Sequence, residues 1–357
     1  MTAGSSAHGA DLESVVARSG RSPEAYLDAS ASLAPWTPWM SSWGARYALR
    51  TYPDPSQRRL SGLLAALHGI HAESCLIGNG AAELLTWAGR DASALGTSLI
   101  PAPGFADYAR ALHCWDGTYS SYRLPLNCSD RWPCDYPLPP SADVVWVCNP
   151  HNPTGQLWSR ASLTPLLQRY RLVICDEAFL PLVPDGEEQS LIPLVDAHPN
   201  LVVIRSLTKL YGIAGARLGY ALAHPKRLAR WAAWRDPWPV NGFALHLGES
   251  LLHKPCRYRD WCRRVQRWTA EEGAWMHGEL SRIPGLTPMP SAANFLLLRG
   301  ERSLVPLREA LEQRHRILLR DCRSFEGLGE TWLRIGYQSR RRNRRIVSAL
   351  QREWLSP

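Results

Sequence analysis

Ser206-Leu-Thr-Lys209-Leu-Tyr-Gly-Ile-Ala-Gly-Ala-Arg217-Leu-Gly219 decides how this chain is read. Ahead of it, Asn200-Leu-Val-Val-Ile-Arg205 is an apolar, β-branched run without polar alternation, the pattern of a parallel strand buried on both faces. Lys209 therefore falls just past the carboxyl end of a strand, in a segment rich in small residues and glycine. Open α/β sheets bind ligands at that edge. A lysine held there, away from water and near other cations, loses part of its preference for the ammonium form and becomes a usable amine nucleophile. Two further strands end in the same way. Asp143-Val-Val-Trp-Val-Cys148 runs into the turn Asn149-Pro-His-Asn152-Pro-Thr-Gly155, and Arg171-Leu-Val-Ile-Cys175 ends in Asp176-Glu-Ala-Phe179.

Asn152, Asp176, Lys209 and Arg217 follow one another at separations of 24, 33 and 8 residues. An amide for a ring hydroxyl, a carboxylate for a pyridine nitrogen, an amine for a carbonyl and a cation for a phosphate are what a pyridoxal 5'-phosphate site needs. The ordered set resembles the class I/II aminotransferase family, and the resemblance covers nearly the whole chain. It implies the type I fold of pyridoxal phosphate enzymes: an α/β protein whose large domain has a mainly parallel central sheet, with a small α/β carboxy-terminal domain. It also implies an arm at 1–45 contributing to the small domain and active site, a large cofactor-binding domain at 46–255 and a small domain at 256–357.

Three more stretches take roles within that frame. Cys75-Leu-Ile-Gly78-Asn-Gly80-Ala81-Ala82-Glu83 reads as strand, glycine turn and helix start, whose free backbone N–H groups can hold a phosphate. Gly80, Ala81 and Ala82 are assigned to the cofactor phosphate, joined by Ser206 and Arg217. In Pro103-Gly-Phe105-Ala-Asp107-Tyr108 the family places a ring that stacks on the pyridine, which makes Phe105 the candidate; Asp107 and Tyr108 read only as the first turn of a helix. The resemblance carries Tyr52, in Tyr52-Pro-Asp-Pro55, across a homodimer interface to the phosphate of the other subunit.

The ends of the chain resemble one subgroup of the family, the L-threonine-O-3-phosphate decarboxylases that make aminopropanol phosphate for cobalamin. Ala7-His8-Gly9, Leu27-Asp28-Ala-Ser30, Arg320-Asp321-Cys322-Arg-Ser-Phe325 and Leu333-Arg334-Ile335 carry that likeness. They imply a phosphorylated amino acid as substrate, bound by His8, Asn152, Arg320 and Arg334. An arginine fork suits carboxylate and phosphate alike. Phe179 agrees, since aminotransferases commonly place a tyrosine there. Ser32-Leu-Ala34-Pro35 departs from the subgroup, which usually has an asparagine at both of the first and third positions. Histidinol-phosphate aminotransferase activity is the alternative, because decarboxylation and transamination share these motifs. A non-catalytic pyridoxal phosphate-binding regulator is a remote one, with no residues ahead of the large domain to form a DNA-binding module.

Composition limits the remaining classes. The chain has 357 residues, 45% of them hydrophobic, enough for a sizeable core. Its opening residues are small and polar and no apolar run reaches about 18 residues, so a cytoplasmic enzyme without a membrane partner is expected. Nine cysteines form no close pair or zinc-ligand cluster, and no metal is expected. The net charge of +9 gathers in Cys262-Arg-Arg-Val-Gln-Arg267 and Arg340-Arg-Arg-Asn-Arg-Arg345, which read as solvated helix faces rather than a nucleic-acid surface. A long helix over 258–282 is expected to end at Ile283-Pro-Gly285. The sixteen tryptophans show no period and read as packing.

Overall fold

A computed structural model describes residues 12–38, 46, 48–126 and 131–356; His8 lies outside them. In chain order the strands are β1 (Leu27–Asp28), β2 (Cys75–Asn79), β3 (Ser98–Ala102), β4 (Tyr119–Arg123), β5 (Val144–Cys148), β6 (Leu172–Asp176) and β7 (Leu201–Ser206). They continue with β8 (Leu218–Ala223), β9 (Leu286–Pro288), β10 (Phe295–Gly300), β11 (Ile317–Leu318), β12 (Arg320–Asp321) and β13 (Trp332–Gly336). Seven of them form one sheet in the order β2-β8-β7-β6-β5-β3-β4. All of its pairs are parallel except those of β8, which runs antiparallel to both neighbours. The strand read from Asn200 to Arg205 is thus parallel to β6 and antiparallel to β8, because the chain turns back at Lys209–Arg217 without a crossover.

The central strands β5, β6 and β7 are buried along their whole length. Their alternation sorts side chains onto two faces, as a pleated strand requires. Val144, Trp146, Leu172, Ile174, Val202 and Ile204 pack with helices Gly80–Leu95, Asp107–His113 and Pro225–Trp234. Val145, Val147, Val173, Cys175 and Val203 pack on the other face, in a core continuous with helices Gly242–Leu252 and Pro255–Leu280. The last helix starts three residues earlier than the sequence suggests, since Pro255 occupies its first turn, where a missing N–H costs nothing.

Beyond that helix β9, β10, β13 and β12 form an antiparallel sheet. Near the other end of the chain β1 pairs with β11, so residues 27–28 join the carboxy-terminal part. Several of the arginines and tryptophans pair with one another. Arg90 lies 3.7 Å from the Trp234 ring, Arg264 4.1 Å from Trp36, Arg302 4.3 Å from Trp354 and Arg340 4.8 Å from Trp275. Each such contact is worth about 0.5–1 kcal/mol at a surface. Arg340 also binds Glu272, at 2.9 Å, which ties the basic terminal helix Arg340–Leu355 to Pro255–Leu280.

One buried ion network fixes the site edge of the large sheet. Arg205, on β7, is wholly buried; its Nε donates to Glu177 at 2.9 Å, its two Nη to Glu187 at 2.7 and 3.0 Å, and Nη2 also to Ser190 at 2.9 Å. Glu177 directly follows Asp176, and Ser206 directly follows Arg205. Removing Arg205 leaves the Glu177 carboxylate, which is fully buried, without its cation. Arg205→Ala is expected to lower the unfolding free energy by about 3–5 kcal/mol in urea titration. A loss below about 1 kcal/mol would show that the network does not hold the strands.

Candidate active site

A cavity of about 560 Å³ opens at the carboxyl ends of the parallel strands. Each wall comes from a strand end. β5 supplies Asn152 from the turn after it, β6 ends in Asp176, and β7 is followed by the short helix Leu207–Tyr211 carrying Lys209. β2 leads into Ala81 and Ala82, β3 into Phe105, and Arg217 stands at the start of β8. The carboxy-terminal part adds Arg320, Phe325 and Arg334, and the arm adds Ser30 to Ser32. All the site residues picked out in the sequence within the described residues line this cavity or adjoin it, apart from Tyr52.

At the anion end, Gly80 has φ +74°, and a Cβ built on it would lie 2.6 Å from the Arg217 guanidinium. A Cβ on Gly219 would lie 2.6 Å from the Ala81 amide nitrogen. Both glycines keep a cup open where the helix Gly80–Leu95 begins, with its free amides and positive dipole end. Arg217 is itself held at φ +55°, a conformation that costs a non-glycine residue about 1–3 kcal/mol and turns its side chain toward the cup. Ser206 caps Leu207–Tyr211, its Oγ accepting from the Thr208 amide at 3.2 Å.

Asp176 is buried, and burial pushes its carboxyl up from the ordinary range. The Ala178 amide at 3.0 Å, the Tyr108 hydroxyl at 2.9 Å and the charge of Lys209 act against that rise. Tyr108 is pushed well above the usual phenol range, by burial first and then by Asp176, so it stays a donor. In the sequence Tyr108 reads only as part of a first helical turn. Only its place three residues after Phe105, with ring centroids 5.7 Å apart, hints that the two share a face.

Lys209 Nζ lies 5.4 Å from the centroid of the Phe179 ring, which packs edge-on against Phe295. Burial, then the charges of Arg334 and Arg217, push the amine down to about 8 against the pull of Asp176. Arg334 donates through Nη1 to Asn152 Oδ1 and through Nη2 to the Ser30 carbonyl at 3.0 Å. That orients the Asn152 amide so that its Nδ2 is the group left to offer a ligand. Arg320 and Arg334 are direct cross-strand partners of β12 and β13, on one face of the sheet. Arg320 donates to Ser324 Oγ at 2.7 Å, and its guanidinium lies 5.0 Å from the Phe325 ring.

Tyr52 is 81% exposed and stacks 4.7 Å from Trp238, away from the cavity of its own chain. Ser32 and Ala34 are buried beside the site; the Ala34 amide donates to the Lys209 carbonyl at 3.0 Å. Among the described residues no His/Cys/Asp/Glu group could hold a metal, and no helix is long and apolar enough to cross a membrane. The open cup, the buried carboxylate, the amide and the depressed amine form a donor set that fits pyridoxal 5'-phosphate.

Residues 28–350 match the family model described as aminotransferase class I and II. The threonine-phosphate decarboxylase of Salmonella typhimurium is 34% identical over 360 residues, covering 97% of this chain and 96% of that protein. A histidinol-phosphate aminotransferase of Symbiobacterium thermophilum is 32% identical, covering 93% and 87%. The crystal structure of L-threonine-O-3-phosphate decarboxylase from Porphyromonas gingivalis superposes with a TM-score of 0.77 at 26% identity, covering 91% of this chain and 98% of that one.

With its folded value near 8, Lys209 is an ammonium below that pH and a free amine above it. The rate at which cofactor-free protein captures pyridoxal phosphate is expected to rise with pH through an inflection near 8. Arg334→Gln, which removes one cation acting on the amine, should move that inflection upward. An inflection near 10.5 in the unaltered protein, the ordinary lysine value, would contradict this.

Proposed function

This chain belongs to the aminotransferase class I and II family of pyridoxal phosphate enzymes, and from that premise we propose that it decarboxylates L-threonine O-3-phosphate. The products are carbon dioxide and (R)-1-aminopropan-2-yl phosphate, the aminopropanol unit of cobalamin. The observation that carries this reading is the register Arg320↔Arg334. Like charges directly opposite one another destabilise a sheet, and two guanidinium groups in that position make sense as the seat of an anionic ligand. With the cup at Gly80–Ala82 and Arg217 on the same cavity, there are anion-binding groups for a cofactor phosphate and for a substrate with two acidic ends.

Within this proposal the amides of Gly80, Ala81 and Ala82, with Ser206 and Arg217, hold the cofactor phosphate. Phe105 would pack against the cofactor's ring, Asn152 Nδ2 would donate to its ring oxygen, and Asp176 would pair with its ring nitrogen. Lys209 is the residue that would bond it. When bound, pyridoxal phosphate supplies an electron sink conjugated to the substrate's Cα. Asp176 would keep the ring nitrogen protonated, and Tyr108 and the Ala178 amide keep Asp176 in place. Arg320 and Arg334, with His8, would hold the acidic groups of the substrate and so set which bond at Cα is labile. With the cofactor bound, loss of the carboxylate as carbon dioxide would be balanced by a proton returned to Cα, for which the Lys209 ammonium, or a water, is the donor.

The arm at 1–45, the large domain at 46–255 and the small domain at 256–357 are proposed as the working units, with the substrate between them. We also propose a homodimer in which Tyr52 reaches the phosphate of the other subunit. Its exposed ring, with exposed Trp238 and Leu49, supports that reading, since large apolar side chains grouped at a surface mark contact sites. The eight described cysteines are all free, in keeping with a cytoplasmic setting.

A transaminase reading shares the site and differs in which Cα bond stands perpendicular to the ring. The similarity to a histidinol-phosphate aminotransferase favours it, whereas Phe179, packed on Phe295 with no hydroxyl for the ring oxygen, favours decarboxylation. Product analysis separates them. Purified holoenzyme with L-threonine O-3-phosphate and no keto acid is expected to release carbon dioxide and aminopropan-2-yl phosphate. No carbon dioxide, with glutamate formed only from histidinol phosphate and 2-oxoglutarate, would overturn the decarboxylase assignment.

A further inference from the structure

Trp261, Arg264 and Trp268 stand at i, i+3 and i+7 on the helix Pro255–Leu280 and so share one face of it. Each holds a different part of the chain. Trp261 donates through Nε1 to the Leu210 carbonyl at 2.8 Å and stacks on Tyr211, with ring centroids 5.4 Å apart, which grips the short helix carrying Lys209. Trp268 donates through Nε1 to the Gln338 carbonyl at 3.0 Å, just past β13, the strand of Arg334. The Arg264 guanidinium lies 4.1 Å from the Trp36 ring and 5.6 Å from that of Trp261, and Trp268 meets Trp36 edge-on at 5.8 Å. Trp36 belongs to the arm, four residues past Ser32.

Between Ser30 and Trp36 the arm runs from the strand of Arg334 to the segment of Lys209. The Ala34 amide donates to the Lys209 carbonyl at 3.0 Å, and Thr37 Oγ1 donates to the Gly212 carbonyl at 3.2 Å. A Cβ on Gly212, which has φ +62°, would lie 2.7 Å from the Ala34 carbonyl oxygen, and one on Gly336 would lie 2.8 Å from that of Ala31. The arm thus lies flush against both. At its inner end the Ser30 carbonyl accepts from Arg334 at 3.0 Å.

We propose that Trp36 is a positioning residue for the substrate end of the cavity. Clamped by Arg264 and Trp268, it holds residues 30–34 where the Ser30 carbonyl orients Arg334. The segment of Lys209 has an anchor of its own in Trp261, so releasing Trp36 loosens the arm and leaves the cofactor seat intact. The inference rests on the proposed binding of substrate at Arg334.

The test uses full-length holoenzyme, the variants Trp36→Ala, Trp36→Phe and Arg264→Gln, and the double Trp36→Ala/Arg264→Gln. Trp36→Ala is expected to lower kcat/KM for L-threonine O-3-phosphate about tenfold, the scale of the lost ring contacts together, with the dissociation constant of pyridoxal phosphate changed less than about threefold. Trp36→Phe, which keeps a ring, should recover most of that loss. Arg264→Gln should lower kcat/KM about threefold alone and add nothing in the Trp36→Ala background, because it acts through that ring. Hydrogen–deuterium exchange, which needs no substrate, should quicken over residues 28–36 in Trp36→Ala and in Arg264→Gln and stay unchanged over 205–217. A tryptophan that merely packed would lower stability and leave kcat/KM of the folded holoenzyme unchanged, and that result would overturn the proposal. Additive effects of the two substitutions, or equal loosening of both segments, would overturn it too. Should Trp36→Ala fold poorly, Arg264→Gln, at an exposed side chain, still decides: unchanged kcat/KM with unchanged exchange over 28–36 contradicts the clamp. An unaltered holoenzyme that does not turn over L-threonine O-3-phosphate would remove the substrate reading instead, and the exchange comparison then decides the clamp by itself.

Discussion

Lys209, Asp176 and Arg334 are withdrawn from water in one cavity, with Arg217 and Arg320 on its wall, and that burial of charge is the constraint on which the rest of the structure depends. Charges withdrawn from water repel strongly and shift their own protonation. The consequence shows in Lys209, which gives up part of its ammonium character, and in Arg334, pushed down to about 10 mainly by its burial. Holding such a set together takes a rigid frame. The fully buried strands β5, β6 and β7, together with the Arg205 network beneath the site, provide it. An anionic ligand relieves the repulsion, so the same charges that strain the cavity select what enters it.

Much of this was legible in the sequence because a parallel strand is a simple signal. A run such as Leu172–Asp176 is buried on both faces, so its first polar residue marks the sheet edge. The strand pattern alone therefore places Asn152, Asp176 and Lys209 at one edge, and the cavity gathers them. The glycine cup and Arg217 followed from helix-start chemistry and from the family resemblance, and they lie against one another.

What remained hidden depends on contacts between distant parts of the chain. Arg334 meets Asn152 and the Ser30 carbonyl, which sit 182 and 304 residues away, and no local pattern encodes such pairs. Tyr108 reads as the first turn of an ordinary helix, yet it bonds Asp176, and Arg110, which no motif marks, bonds the cup helix. The pairing of the two-residue strands, Leu27 with Ile317 and Arg320 with Arg334, joins parts of the chain that no local pattern connects. The reversal at β8 was missed because an apolar run says that a strand is buried but not which way it runs. Tryptophan and arginine, scattered in the sequence, meet only in space.

Everything above turns on Lys209 being the residue that bonds the cofactor. The chain contains three lysines, and the other two, Lys226 and Lys254, are exposed. Borohydride reduction of the holoenzyme, followed by digestion and mass spectrometry of the peptides, reads the bonded residue directly. The expected result is a single pyridoxyl phosphate label on Lys209. A label on Lys226 or Lys254 with Lys209 unmodified, or a stably bound cofactor that reduction leaves unattached, would contradict the site described here.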